Sequence, residues 1–584
     1  MQDTSETPTS PAPGSPTVLA AEPVPHATAE EPLAAAEEPT PRASGEGSAV
    51  DSVFAPIAGP RAEGRHAALP DPSKLPTNLT LVVLFMAVAG AIVLSVSSGS
   101  FDNDMWWLLA TGREVVENGI PYTNPWSIHE GLDTVIQQWL AAVVLYGTYS
   151  VSGYMGLKVL VAAQCCVLAG VLYALCRVAS GRKGGSGEVF AFCIAVAFVS
   201  LSAYLSVRPH LYSMTLFALV ILVMELYRQR NRPKILALVP LLAMVHVNVH
   251  AAMAPFDLFI VALYLVPDIP TLFRKHGITW QFGFKKADYR RLPVLIALVA
   301  SAVALLINPY GIRGALYLAL SYGAAGYGNY INEMGSTGFW TDYGGGTMAM
   351  IVLGSIAVGA NGRRNIDLPL TILFAVCIPL AMMHTRNVWL VALFALPLCA
   401  SAFSTLHVNA HDVPALSSRL LNGVLGGVFV VAMFAYGAAF QWPSIVENAE
   451  KDTSSLPSKA MDYLDRYVAA SQVDKSSLRI YNSFNCGGYL EWRGYKVFMD
   501  PRPELWEPGI TGDERHYYQE FVDFAQDKTP AKDVVGEYDF DFIIAYTSSE
   551  LNSYLKTSSA YQLATSGSGY QVWAKVDLDL PAED

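Results

Sequence analysis

Long apolar stretches alternate with short polar connections between residues 78 and 441. Most of these stretches reach the length of roughly 17–25 residues that a helix needs to cross a bilayer. The pattern therefore predicts a polytopic α-helical membrane domain over residues 73–442. The eleven spans that we predict in it are residues 78–98, 155–178, 187–206, 211–228, 234–249, 254–271, 292–308, 346–361, 366–384, 387–403 and 420–441.

Two polar regions flank this domain. Residues 1–72 are rich in Pro, Ala, Glu, Ser and Gly and have almost no aromatic residue, so they cannot bury enough apolar surface to offset their ordering entropy. We predict a disordered cytoplasmic tail there. Residues 443–584 combine helical and alternating patterns, which predict a small extracytoplasmic α/β domain. Its predicted helices are residues 458–470, 514–526 and 550–557, and its predicted strands are residues 477–485, 495–500, 540–547 and 569–576.

The composition agrees with a membrane protein and excludes a nucleic-acid partner. Only 15% of the residues are charged, against about 25% in soluble proteins, and 52% are hydrophobic. The net charge is −12, and the negative charge lies in the two polar flanking regions, whereas nucleic acid requires a basic surface. Six of the seven cysteines lie in apolar segments without metal-ligand spacing, so we expect neither a zinc site nor a disulfide framework.

Lysine and arginine residues set the expected orientation. They cluster in alternate connections, which places those connections in the cytoplasm. This bias holds only if the apolar segment 135–151 lies on the membrane surface instead of crossing it. The N-terminus is then cytoplasmic, and the loop 99–137 and the region 443–584 lie outside. We predict a multi-pass protein of a plasma membrane.

The loop 99–137 carries the first candidate chemistry. Asp102 and Asp104 follow the first predicted span directly, and Trp106 and Trp107 come next. Tryptophan favours the membrane interface. Carboxylates at membrane depth cost free energy, so their presence there often marks a functional site. The arrangement suits a reaction on a lipid-carried substrate, although a polar loop kept in water by its acids is the alternative.

The outer connections carry cations and imidazoles that could receive a phosphate. Arg208, His210, His250, His384 and Arg386 all fall on the predicted outer side. Arginine suits phosphate because its guanidinium donates two parallel hydrogen bonds. The other polar or aromatic residues of these connections are His246, Asn248, residues 308–313, Glu333, Trp340, Asp342, Thr385 and Asn387.

Structural explanations exist for the same residues. Arg208 precedes Pro209 and can cap a helix or extend to the lipid headgroups. His246 and His250 are four residues apart and would share a helix face, which can suit a metal. Hydrogen-bonded structure is the alternative for this pair, because no carboxylate stands beside it in the sequence.

The layout resembles the GT-C fold superfamily of polyprenyl-phosphate-sugar-dependent membrane glycosyltransferases, in a bacterial branch of it. In that family an acidic motif lies in the first outer loop, interfacial helices follow, and a soluble domain often ends the chain. The chain departs from the expected His-Glu-Trp-Leu motif, because Gln137 and Gln138 precede Trp139. The segments that carry the resemblance are residues 101–127, 135–160, 208–213, 247–253, 308–311, 384–389 and 485–506.

The resemblance implies an inverting transfer from a polyprenyl-phosphate-linked sugar to an envelope glycan, lipid or protein. Asp104 or Asp102 would be the base, and Arg208 and Arg386 would stabilise the departing phosphate. A divalent metal, Mg²⁺ or Mn²⁺, could be held by Asp102. A lipid-linked substrate flippase or transporter is the main rival, since intramembrane charges also mark transport pathways. A non-catalytic envelope scaffold is the third reading.

Overall fold

Helices occur at the positions of all eleven predicted spans in this computed structural model. It describes residues 79–97, 99, 101–181, 187–266, 283–285, 288–321, 331–338, 344–361, 366–404, 419–452, 456–567 and 569–581, which fall in one compact unit. The predicted tail 1–72, Trp340, Asp342 and several of the expected cytoplasmic bases lie outside these residues.

The helices before residue 450 have the following bounds. They are α1 Leu79–Ser97, α2 Asp104–Asn118, α3 Trp139–Ala179, α4 Gly187–Leu201, α5 His210–Arg230, α6 Leu238–Val249, α7 Pro255–Leu263, α8 Arg291–Ala304, α9 Ile312–Ala315, α10 Tyr317–Ser321, α11 Gly344–Ala360, α12 Leu368–Met383, α13 Val388–Phe403, α14 Arg419–Tyr436 and α15 Trp442–Glu447. Short 3₁₀ segments at Ser202–Tyr204, Pro233–Ala237, Asn332–Met334 and Thr385–Asn387 extend or join them.

Four helical stretches in the described part of the chain are long and apolar enough to cross a membrane. They are Trp139–Ala179, His210–Arg230, Thr385–Phe403 and Gly427–Glu447. Six further apolar helices are shorter, with 10–17 residues each. The number of eleven spans and their orientation therefore stay predictions.

Helix α3 contains a break at Gly153. Its backbone there has φ 59° and ψ −158°, a conformation that side chains with a Cβ rarely adopt. The break separates residues 139–152 from the apolar helix that follows. The predicted surface helix therefore begins at Trp139 and not at Val135, which is buried in the loop before it. That this first half stays on the surface remains a prediction.

The C-terminal region forms the predicted α/β domain around a four-stranded sheet. The strands are β1 Ile480–Asn482, β2 Phe542–Tyr546, β3 Tyr561–Gly567 and β4 Tyr570–Lys575, in the order β1-β2-β4-β3. β1 and β2 are parallel and the other pairs are antiparallel. The helices are α16 Ser458–Ser471, α17 Gly487–Trp492, α18 Pro508–Thr511, α19 Tyr517–Ala525, α20 Ala531–Tyr538 and α21 Glu550–Thr557.

The sequence pattern was wrong about one strand and missed another. Residues 495–500 do not join the sheet, because Val497 pairs its backbone with the outer loop instead. Its N–H donates to the Trp126 carbonyl at 2.7 Å, and its carbonyl accepts from Ile128 N–H at 3.0 Å. The unpredicted strand β3 lies at the sheet edge, where its polar residues stay exposed and the apolar alternation is weak.

The C-terminal domain packs directly on the outer loop. A Cβ on Gly488 would stand 3.1 Å from the backbone nitrogen of Trp107, so a larger residue would force the two segments apart by a few tenths of an ångström. Trp106 packs edge-on against Tyr489 with ring centroids 4.9 Å apart. The domain and the loop therefore share one packed interface.

His129 of the loop is buried among aromatic rings of the C-terminal domain. Its Nε2–H donates to the Phe498 carbonyl at 3.1 Å, and the rings of Trp506, Tyr517 and Tyr538 surround it. Burial lowers the pKa of His129 from 6.5 to about 4, because a charged imidazole would lose its hydration there.

Acidification is expected to weaken this interface. Between pH 6.5 and 4 the unfolded chain binds a proton at His129 that the folded protein does not, so the free energy of unfolding falls as the pH falls. The free energy of unfolding should fall by at most about 1.4 kcal/mol for each unit by which the pH decreases. Unfolding measured from pH 7 to pH 5 should show this slope. His129→Gln, which keeps an N–H donor, should flatten it, and an unchanged slope would contradict the assignment.

Candidate active site

The start of helix α2 brings the two predicted carboxylates together. The Asp102 side chain accepts a hydrogen bond from the Asp104 N–H, two residues along the chain, at 3.1 Å, as in an Asx turn. Asp104 is the first residue of the helix, and its Oδ1 accepts from the indole N–H of Trp107 at 3.1 Å. Trp107 thereby fixes the Asp104 carboxylate one helical turn away.

Arg208 joins these carboxylates to a third one. Its guanidinium contacts both oxygens of Asp102, the nearer at 2.5 Å, and lies 3.2 Å from Asp104. On its other side it donates to Glu333 at 2.9 and 3.1 Å. The Arg208 side chain is only 14% exposed, so most of its donors serve these acids. Its predicted role as a phosphate ligand stays a prediction, and its visible role is to hold the carboxylates.

The balance of charge in this cluster favours a proton acceptor near neutral pH. Burial raises the pKa of Asp104 from 3.8 to about 6, Arg208 opposes this rise, and Asp102 and Glu333 add to it. A carboxylate with such a pKa is ionised at pH 7 and yet basic enough to accept a proton.

The rate of a reaction that uses Asp104 as base is expected to fall below about pH 6. Protonation removes the base, so kcat/KM should decrease about tenfold per pH unit on the acid side. In Trp107→Phe the Asp104 carboxylate loses the hydrogen bond from the indole N–H, so the midpoint of the pH–rate profile should move to higher pH. A pH–rate profile on both proteins checks this, and a flat profile from pH 5 to 7 would contradict the role.

A short 3₁₀ segment, Asn332–Met334, links the carboxylates to the basic side of the site. This basic side comprises His210, His250, His384 and Arg386. Glu333 binds Arg208, whereas Met334 next to it binds two other predicted residues. The His384 Nδ1–H donates to the Met334 carbonyl at 2.7 Å, and Arg386 Nη1 lies 3.3 Å from its sulfur. The two predicted groups of residues therefore lie on opposite sides of one turn.

Unsatisfied donors mark this basic side. The Nε of Arg386 is buried and meets no hydrogen-bond partner among the described residues. The same holds for both ring nitrogens of His210, a residue that is 5% exposed. His210 packs edge-on against His250, with ring centroids 4.9 Å apart. Buried donors without partners are costly, which favours a site built for an acceptor such as a phosphate oxygen.

His246 and His250 belong to a hydrogen-bonded network. Both rings contact the Ser213 hydroxyl, His250 through Nδ1 at 2.8 Å and His246 through Nε2 at 3.0 Å. Asp257, on the next helix, accepts from His246 Nδ1 at 2.8 Å. His246 and His250 therefore make structural hydrogen bonds, which was the alternative to a metal site for this pair.

A metal site is not assembled by the described residues. Among them, no three His, Cys, Asp or Glu side chains come together as ligands. Both oxygens of Asp102 accept hydrogen bonds from Arg208. The assignment of Asp102 to Mg²⁺ or Mn²⁺ thus stays a prediction, and no step below uses a metal.

The sequence did not reveal the part played by the C-terminal domain. Arg502 lies between Trp107 and Trp126, with its guanidinium 4.9 and 5.1 Å from the two ring centroids. It pairs with the buried Glu491 and Asp500 at 2.7 and 2.8 Å. The signal in the sequence that could have indicated this contact is an arginine that stands between two prolines and close to an acid.

Comparison with known proteins finds similarity in fold. No family model matches the chain, and no curated protein matches its sequence. The apo oligosaccharyltransferase of Archaeoglobus fulgidus is 13% identical over 86% of this chain and 75% of that one, with a TM-score of 0.49. ArnT from Cupriavidus metallidurans bound to undecaprenyl phosphate is 12% identical over 86% of this chain and 99% of that one, with a TM-score of 0.48. Because these TM-scores lie below 0.5, function is inferred below from the side chains of this chain.

Proposed function

We propose that the protein is a membrane glycosyltransferase that moves a sugar from a polyprenyl-phosphate donor to a hydroxyl group of a cell-envelope acceptor. The observation that carries the proposal is the state of Asp104. Its carboxylate is fixed by Trp107, contacts Arg208, and has a pKa raised to about 6 by burial. A positioned base of this strength suits the activation of an acceptor hydroxyl.

In the proposed reaction the acceptor oxygen attacks the anomeric carbon while its proton passes to Asp104. The bond from that carbon to the phosphate oxygen breaks, and the phosphate leaves with the electron pair. A single displacement of this kind inverts the anomeric configuration. Arg208 holds Asp102, Asp104 and Glu333 at fixed distances, so the base keeps its orientation.

The residues on the basic side of the site support its role in binding the leaving phosphate. Arg386, with a buried Nε that lacks a described partner, would donate to the phosphate. His210 in its neutral form offers one further N–H, because neither of its ring nitrogens has a described partner. His250 packs against the His210 ring, and His384 binds the same Met334 that Arg386 contacts. Charge that develops on the leaving phosphate would be stabilised by groups already in place.

A transfer assay on the purified protein in lipid nanodiscs tests the proposal. The assay offers a panel of radiolabelled polyprenyl-phosphate sugars with an envelope extract as acceptor. Labelled product with inverted configuration is expected from the wild type. Arg386→Met should lower kcat as well as raise KM for the donor, because the group that stabilises the charge on the leaving phosphate is then absent. Movement of labelled lipid across the bilayer without product would favour a flippase, and neither activity would favour a scaffold.

A further inference from the structure

A buried chain of hydrogen bonds ends beside the basic side of the site. Asp257 accepts from His246, and Ser213 stands between His246 and His250, with successive distances of 2.8, 3.0 and 2.8 Å. All four side chains are at most 1% exposed. The proposed transfer has no use for Ser213, His246 and Asp257, although burying a titratable chain of this kind is costly.

Donor and acceptor chemistry allows two states of this chain, which differ by one proton. If Asp257 is ionised, His246 carries its proton on Nδ1 and uses Nε2 as an acceptor. Ser213 must then donate to His246 and accept from His250 Nδ1–H. The Nε2 of His250 is left as a lone pair. In this state His250 can accept a proton but cannot donate to a phosphate.

One added proton reverses the direction of every link. A proton that binds His250 Nε2 lets Nδ1 release its own proton to Ser213, which passes its proton to His246. His246 then releases the Nδ1 proton to Asp257. All four groups end neutral, one proton has entered, and His250 Nε2 has become a donor. No bond to carbon changes, and the proton comes from solvent.

The end of the chain lies where an anion would sit. The His250 ring contacts the ring of His210, and the positive charge of Arg386 acts on both imidazoles. Among the described residues, the titratable groups that act on His250 are His246, His210 and Arg386. A phosphate dianion at Arg386 would favour proton entry, because it attracts the proton and is repelled by the ionised Asp257.

We propose that binding of a phosphate monoester at Arg386, His210 and His250 is coupled to the uptake of one proton, which is stored on Asp257 through Ser213 and His246. This inference rests on the phosphate site of the proposed function. It gives that site a preference for one charge state. The donor is a phosphodiester with one negative charge, whereas the leaving polyprenyl phosphate carries nearly two at pH 7. The stored proton would match the charge that transfer creates.

Proton uptake can be counted without any catalysis. Undecaprenyl phosphate is titrated into the full-length protein in nanodiscs by calorimetry at pH 8, in two buffers of different ionisation enthalpy. At this pH the free lipid phosphate is fully ionised, so uptake reports on the protein. We expect close to one proton per bound lipid for the wild type. Inorganic phosphate, offered separately, shows whether the headgroup alone is sufficient for the same uptake.

Three variants separate the relay from a general effect of structure. Ser213→Ala breaks the chain at its centre and Asp257→Asn removes its end, so both should bind lipid with uptake reduced to less than a third of a proton. Glu225→Gln changes another fully buried carboxylate, on the same helix α5 as Ser213, and should keep the wild-type count.

Each outcome bears on the inference. Lipid binding by the wild type without proton uptake overturns the relay and leaves the proposed transfer intact. Uptake that persists in both Ser213→Ala and Asp257→Asn also overturns it. Absence of lipid binding by the wild type overturns the phosphate site itself, a failure of the proposed function that the transfer assay would show independently.

Discussion

Asp104→Asn is expected to lower the rate of sugar transfer by about 10²–10⁴-fold, the range that a positioned general base contributes. Asparagine has the same shape, and its carbonyl oxygen can still accept the hydrogen bond from Trp107. The substitution also removes one of three acids around a single guanidinium, so folding should not suffer. Initial rates at saturating donor, with melting temperatures measured in parallel, check the expectation.

Two comparison variants make this result specific. Glu114→Gln neutralises another acid of helix α2, one that is hydrogen-bonded only to Asn118 in the described structure, and should keep wild-type activity. Asp102→Asn should have a smaller effect than Asp104→Asn, because both oxygens of Asp102 already accept from Arg208. An active Asp104→Asn beside an inactive Asp102→Asn would transfer the role of base to Asp102.

Arg502→Met is expected to cost about 3–5 kcal/mol of folding free energy, the usual effect of breaking a buried ion pair. The substitution leaves Glu491 and Asp500, both at most 1% exposed, without their cation. It also removes the contacts with Trp107 and Trp126, worth up to about 2 kcal/mol where a cation is desolvated. Denaturant unfolding followed by tryptophan fluorescence measures the loss.

A surface arginine of the same domain provides the control. Arg515 forms ion pairs with Glu520 and Glu537 and is 43% exposed, so Arg515→Met should cost no more than about 1 kcal/mol. Equal losses of folding free energy in the two variants would show that the buried ion pairs of Arg502 do not stabilise the domain. Neutralising its partners as well, with Glu491→Gln and Asp500→Asn added to Arg502→Met, should recover part of the stability because no buried charge is then unpaired.

Arg502 also relates the C-terminal domain to the proposed chemistry. Its guanidinium stacks on Trp107, and the indole N–H of Trp107 holds Asp104. The orientation of the base therefore depends on a residue almost 400 positions away in the chain. Arg502→Met should consequently lower transfer as well as stability, whereas Arg515→Met should leave transfer unchanged.

Elements whose signal is local could be predicted from the sequence. A helix lies in each of the eleven apolar stretches, since a long apolar run has few other stable conformations in a membrane. Strands β1, β2 and β4 and helix α16 were predicted because period-2 and period-3.6 patterns need no distant partner to be read. The carboxylates Asp102 and Asp104 could be identified because they follow an apolar run directly in the sequence.

How polar residues distant in the chain combine depends on the folded structure. Arg208 binds acids from the loops at Asp102 and Glu333, and Arg502 reaches Trp107 from another domain. The relay from His250 to Asp257 likewise forms between three helices and the segments that join them. Spacing along the chain carries no information on such contacts, because the pairing of buried charges and hydrogen bonds depends on how helices pack. The sequence thus located the reactive loop, whereas packing determined which of its neighbours act on it.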